Sequence, residues 1–236
     1  GWQNMYLYPS YGFGWYSGFV GNPSLLGKPG AVYGFISFPL FQHKRHQMVI
    51  EPAAGISYDL KPYDANHNTQ NDAIGSRFNV YFNLSLGARY RLNREMDLVY
   101  GLDFTHFSNG RIYKPNSGLN MFGPNLGIRY HFNTHQNKVD NSYNPQTVLN
   151  VRPNLYNFVK AKRINSFNVL AYGAAGLVQN NPDMGTSKQY STFSGVLELQ
   201  YVLNTKNGFT GGVDFFYDNS LVAEIPDGHY DVYGFH

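Results

Sequence analysis

The chain has 236 residues, no cysteine, a net charge of +3 and 14% charged residues, well below the ~25% of soluble domains, against 17% aromatics with 20 Tyr and 18 Phe. The absence of cysteine excludes a disulfide framework and thiolate chemistry, and the scattered Lys and Arg lack the concentrated basic surface of a nucleic-acid binder. No run of ~18 apolar residues exists, which excludes a transmembrane helix, but few charges, many aromatics and 25 Gly suit a membrane β-barrel with aromatic girdles or an aromatic-rich soluble β-sandwich.

No signal-peptide pattern opens the chain at Gly1-Trp2, so an exported origin is neither shown nor excluded. From there on, period-two alternation dominates. Strands are expected over Met5 to Val20 and Ala31 to Leu40, followed by a solvated turn at His43-Lys44-Arg45-His46. Met48 to Leu60 sends Met48, Ile50, Pro52, Ala54, Ile56, Tyr58 and Leu60 one way and Glu51, Ser57 and Asp59 the other. Ser76 to Leu92 is the clearest case. Its even positions (Phe78, Val80, Phe82, Leu84, Leu86) are apolar, and its odd positions (Arg77, Asn79, Asn83, Ser85, Arg89, Arg91) are polar. A strand this long exceeds the usual 3–10 residues of globular strands and suits a tilted membrane crossing of ~9–11 residues with extensions. Met96 to Gly110 and Asn120 to Phe132 continue the pattern, then Ser166 to Val178, Ser191 to Leu203, Phe209 to Tyr217 and a strand beginning near His229.

Tight polar turns (Leu92 to Glu95, Leu203 to Gly208) alternate with long polar loops at Lys61 to Gly75, Asn109 to Gly118, Asn133 to Asn165 and Asn180 to Gln189. Short turns at one end and long loops at the other describe an outer-membrane barrel. The expected fold is therefore all-β: one antiparallel transmembrane β-barrel over residues 1–236, with about ten strands. The count rises to twelve if the chain continues past His236, where it stops early in a strand. The long loop insertion spans about 133–165, with a helical turn near Leu155 to Lys160. The polar rows would fill the lumen. Arg77, Arg89, Arg91 and Arg129 with Asp59, Asp103 and Glu51 would form an ion-pair plug, since ten strands leave little open lumen. Tyr6, Tyr8, Tyr11 and Tyr16 read as an interface girdle. His43, His46, His67, His131 and His135 lack a metal-ligand spacing, so no metal is assigned, and no glycine loop suited to phosphate is present.

The segment MDLVYGLDFTHFSNG carries the chemistry. Met96, Leu98, Tyr100, Leu102, Phe104, His106 and Ser108 share one face, so a base and a potential nucleophile end an apolar row. Asp103 lies on the opposite face. Positions i and i+2 stand about 7 Å apart along a strand, close enough for an imidazole to reach a serine Oγ and act as its general base. Polar residues closing a strand at the membrane interface would look the same.

His106-Phe107-Ser108-Asn109-Gly110, followed by Pro115-Asn116-Ser117-Gly118-Leu119-Asn120, resembles the signature of the lipid A 3-O-deacylases, also described as acyloxyacyl-hydrolase-like proteins. The resemblance is tightest over about Ile56 to Phe132, including Lys61-Pro62-Tyr63-Asp64 and Asn71 to Ser76. It implies a barrel in the bacterial outer membrane that removes an ester-linked acyl chain from lipopolysaccharide without a cofactor, its partners being lipid A and outer-membrane lipid. It also implies His106 as general base, Ser108 as nucleophile, Asn109 with the Gly110 backbone at the oxyanion, and Asn116 orienting the loop. The family's best-known members place a glutamate where this chain has Asn120, and Glu51, Glu95, Glu198 and Glu224 all lie outside the motif. Asn120 falls on the same face as Phe122 and is expected to orient His106 through its amide oxygen, as Asn does in Cys-His-Asn enzymes, with slower chemistry. Two other readings stay open: a non-enzymatic structural or adhesive outer-membrane barrel, and a soluble barrel binding an apolar ligand. Acyl-chain position and oligomeric state are not legible.

Overall fold

The computed structural model describes residues 9–93, 95–132, 163–204, 207–223 and 230–235. Within them the chain is antiparallel β-structure in two sheets. The first follows chain order: β1 (Ser10–Ser17), β2 (Gly27–His43), β3 (His46–Leu60), β4 (Asn79–Arg91), β5 (Met96–Ser108) and β6 (Leu119–Tyr130). The second does the same with β7 (Arg163–Val178), β8 (Tyr190–Asn204), β9 (Gly208–Asp218) and β10 (Tyr230–Phe235). Among the described residues no ladder joins β6 to β7 or β1 to β10. A single helical turn, α1 (Pro23–Leu26), is capped by the Asn22 side chain and was not expected from the alternation. No helix among the described residues is long and apolar enough to cross a membrane.

The expected strands are present with shifted ends. β2 is longer than Ala31 to Leu40, and β4 begins at Asn79, because Ser76 to Phe78 belong to the preceding loop. Met5 to Tyr8, the helical turn near Leu155 to Lys160 and most of the loop over 133–165 lie outside the described residues, while Arg163 to Asn165 belong to β7. One expectation about the loops fails. β5 and β6 are antiparallel neighbours, so the chain leaves Tyr130 and re-enters at Arg163 on the end that carries the tight turns. Tyr130 and Arg163, the strand ends that flank the long insertion, therefore lie opposite the loops Lys61 to Gly75 and Asn109 to Gly118. That latter end is called the outer end below.

Alternation sets the two faces. Ile56, Val80, Leu86, Leu102 and Leu126 are exposed on one face, and Ser57, Tyr81, Arg89, Asp97 and Thr105 are buried on the other. Asp59 and Leu60 break the rule: Asp59 takes φ +62°, which turns Asp59 outward and Leu60 (1% exposed) into the core. Arg77 is also exposed, in the loop, so neither Asp59 nor Arg77 joins the inner polar cluster. Tyr16 is not a girdle residue either. It faces inward against Tyr81 and Phe107, whereas Tyr11 is exposed.

The inner face is polar except at its outer end. Arg89 Nη2 donates to Ser37 Oγ at 2.7 Å and Glu51 Oε2 at 3.0 Å. Buried Asp97 accepts from His131 Nε2 at 2.9 Å beside Arg91, and Asn125 joins Asp103 to Ser85. Buried charges need such partners, since an unpaired one costs several kcal/mol. Above this network the outer end closes over an apolar cluster of Ala31, Leu60, Ala73, Ile74, Tyr81 and Phe107.

Candidate active site

β5 positions the site. Phe107 is 0% exposed and packs on Tyr16 and Tyr81 inside, so the residues on either side of it, His106 and Ser108, must face outward. Both are half-buried at the outer end of the strand. On β6, Asn120 pairs directly with His106 across the ladder, and His106 Nδ1 lies 2.7 Å from Asn120 Oδ1. An amide oxygen only accepts, so Nδ1 carries the hydrogen and Nε2 of the neutral ring is left as an acceptor. Among the described residues Ser108 Oγ makes no hydrogen bond with the protein, so the His106–Ser108 contact that the strand spacing allows is not formed.

The loop after β5 is fixed by its own side chains. Gly110 and Arg111 have φ +63° and +69°, and Ile112 N–H donates to the Asn109 carbonyl at 3.2 Å, which is a type I′ turn. Asn116 Oδ1 accepts from the Asn109 N–H at 3.0 Å, joining the two sides of this loop. The Asn109 Nδ2 group donates to Ser76 Oγ and to the Tyr113 carbonyl, both at 3.0 Å. These bonds engage the Asn109 donors that an oxyanion would use. The turn they stabilise carries the exposed Gly110, two residues after Ser108.

Sequence reasoning missed two supports. Gly118 has φ +76°, and a Cβ there would stand 2.9 Å from His106 Cε1, so the loop can return over the imidazole only through a glycine. Its φ leaves no sequence trace beyond the glycine itself. The second is loop-to-loop locking. Asn71 Oδ1 accepts from the Ala73 and Ile74 N–H groups, its Nδ2 donates to the Lys61 carbonyl, and Gly118 N–H donates to the Ala73 carbonyl. In the same loop the Asn66 and His67 N–H groups hold the Asp64 carboxyl below its ordinary pKa.

Side chains also tie the loop after β5 to the second sheet. Gln179 is 0% exposed; its Oε1 accepts from Lys114 N–H at 2.7 Å and its Nε2 donates to the Thr186 carbonyl at 2.9 Å. Arg111 pairs with Asp218 and donates to Ser220 Oγ, and Gln189 Nε2 donates to the Ile112 carbonyl. Among the described residues no group of three or more His, Asp or Glu is placed to hold a metal ion.

No curated protein and no solved structure matches the chain. Two family profiles do. One, described as acyloxyacyl hydrolase, C-terminal domain, matches residues 165–235, and the other, described as lipid A 3-O-deacylase (PagL), matches residues 1–129, which contain the whole His106–Asn120 site. With more than half of its length matched by the second profile, the chain belongs to the lipid A 3-O-deacylase family of outer-membrane ester hydrolases.

Proposed function

We propose that the two sheets form one outer-membrane β-barrel, a single domain of about ten strands, and that this barrel hydrolyses an ester-linked acyl chain of lipid A on its lipid-facing side. The observation that carries this reading is the 2.7 Å bond between His106 Nδ1 and Asn120 Oδ1 on the outward row that ends in Ser108. Membrane-facing polar residues cost free energy, and here three of them sit together with one oriented by another.

Ser108 Oγ attacks the ester carbonyl and His106 Nε2 takes its proton. The tetrahedral oxyanion is held by the Gly110 N–H, which the Asn109–Asn116 turn presents. His106 then protonates the departing sugar oxygen, and the acyl chain is left on Ser108. A water that gives its proton to His106 releases the fatty acid and restores the serine. Asn120 holds the productive tautomer throughout without adding charge. No step calls for a cofactor.

Lipid A mass spectrometry after incubation of the detergent-solubilised protein with lipopolysaccharide tests the proposal. The expected result is loss of one hydroxyacyl mass with the intact protein and none with Ser108→Ala. Full deacylation by Ser108→Ala would refute the mechanism. No mass change with folded protein across several lipid A types would favour a structural or adhesive barrel.

A further inference from the structure

The turn that follows Ser108 is built against its own sequence. Its two central residues, Gly110 and Arg111, take φ +63° and +69°. A type I′ turn favours Gly, Asn or Asp at both places. Glycine meets that demand without strain. Arginine does not, because its Cβ crowds a carbonyl oxygen in the left-handed region. Such a residue persists only where its surroundings over-determine it. Here the surroundings come from the second sheet.

Three segments of that sheet meet Arg111 and its neighbours. At the end of β9, Asp218 pairs with the Arg111 guanidinium, and Ser220 Oγ accepts from Arg111 Nη2 at 2.8 Å. Asp218 Oδ1 accepts in turn from the Ser220 N–H at 2.9 Å. Just after β7, the Gln179 N–H donates to the Arg111 carbonyl at 2.8 Å. Just before β8, Gln189 Nε2 donates to the Ile112 carbonyl at 3.0 Å. Asn180 Nδ2 joins the first two segments by donating to the Ser220 carbonyl at 2.9 Å. The receiving groups are fixed beforehand, since Asp218, Gln179 and Ser220 are all buried. Arg111 is thus gripped at both its side chain and its carbonyl. A charge-assisted bond to a buried, hydrogen-bonded carboxylate is a firmer anchor than a pair of two exposed side chains.

We propose that Arg111, Asp218 and Ser220 are positioning residues: the second sheet holds Arg111 in the left-handed conformation and so sets the direction of the Gly110 N–H beside Ser108. The inference rests on the deacylase reading for the part that the Gly110 N–H plays. Their effect runs through the turn rather than through contact with substrate. An oxyanion donor works only when it is aimed where charge develops, and a misplacement of about 1 Å can lower the rate ~10²-fold. The second sheet carries none of His106, Ser108 and Asn120, yet through this grip it takes part in the reaction.

Substitutions that separate the pairing from the turn conformation test this. Asp218→Asn keeps the shape and removes the charge, and Arg111→Ala removes the guanidinium but keeps a Cβ. Each is expected to lower kcat about 10- to 100-fold, with KM for lipid A within about twofold. Arg111→Asn also lacks the guanidinium, but asparagine tolerates the left-handed region, so kcat should stay within about threefold of the unmodified protein. Adding Asp218→Asn to Arg111→Asn should bring no further loss, because the pair that couples the two positions is already gone. Lys188→Gln, which breaks the Lys188–Asp183 pair elsewhere in the second sheet, should change neither constant. Unchanged kcat in Asp218→Asn would overturn the proposal. So would Arg111→Asn as slow as Arg111→Ala, which would assign the guanidinium to the substrate instead. Hydrogen exchange in detergent reads the turn without turnover. Amides of residues 109–114 should exchange several-fold faster in Asp218→Asn and Arg111→Ala, with those of β4 to β6 unchanged. Equal exchange in the turn overturns the proposal, and so does faster exchange throughout the first sheet. If the unmodified protein cleaves no ester, the deacylase reading fails by itself, while hydrogen exchange still decides whether the second sheet holds the turn.

Discussion

Replacing Asn120 by Asp tests the orienting role most directly, because the two side chains have the same shape and differ in charge. The Oδ1 atom stays 2.7 Å from His106 Nδ1, which places the charge centres of a carboxylate and an imidazolium about 4 Å apart. Two unit charges at that distance attract by ~1 kcal/mol in water and ~4 kcal/mol at an effective dielectric of about 20. Asn120 is exposed and His106 half-buried, so the screened end of that range applies, about 1–2 kcal/mol. At ~1.4 kcal/mol per tenfold, kcat should rise about 5- to 30-fold, because imidazolium forms in the rate-limiting transition state. Asn120→Ala should do the reverse to the rate, with a loss of about tenfold from the free tautomer and ring. The assay is initial-rate release of hydroxy fatty acid from lipid A in detergent across pH, with heat-modified gel mobility as the folding control. If Asp and Ala at position 120 both leave the rate unchanged, Asn120 does not act through His106.

Gly118→Ala should cut kcat by more than about tenfold while the strand signal in circular dichroism stays the same, because its Cβ meets His106 Cε1 at 2.9 Å and its φ is +76°. Asn116→Ala removes the acceptor for the Asn109 N–H; kcat should fall more than KM rises, as expected when a transition-state donor loses its position. Gln179→Leu strands the Lys114 N–H and the Thr186 carbonyl. It should lower the Tm for loss of folded gel mobility, consistent with a cost of about 1–3 kcal/mol for an unsatisfied buried group, with the ladders intact by infrared spectroscopy.

Much of this arrangement was legible because a strand's period is two. Once Met96 to Ser108 reads as a strand, the apolar row and its terminal His106 and Ser108 follow, and the register that sets Asn120 opposite His106 needs only a connection of the observed length. Backbone conformation hides the rest. The left-handed residue at Asp59 reverses the facing of Leu60, and nothing in the alternation marks it. Tyr16 looks like a girdle aromatic because tyrosine serves interface and core alike, and its neighbours Tyr81 and Phe107 come from strands far away in sequence. The end of the sheets at which Tyr130 and Arg163 stand depends on strand parity, which loop composition does not report. The Gln179 and Arg111 contacts join segments that only the three-dimensional fold brings together.

The dyad ends an outward row of apolar residues on β5, so on the deacylase reading substrate reaches it sideways, by two-dimensional diffusion within the leaflet. Turnover should then follow the mole fraction of lipid A at the surface rather than its bulk concentration. Diluting the substrate with inert lipid at constant total lipid A should slow the enzyme, and adding more vesicles of the same composition should not speed it once all the protein is inserted.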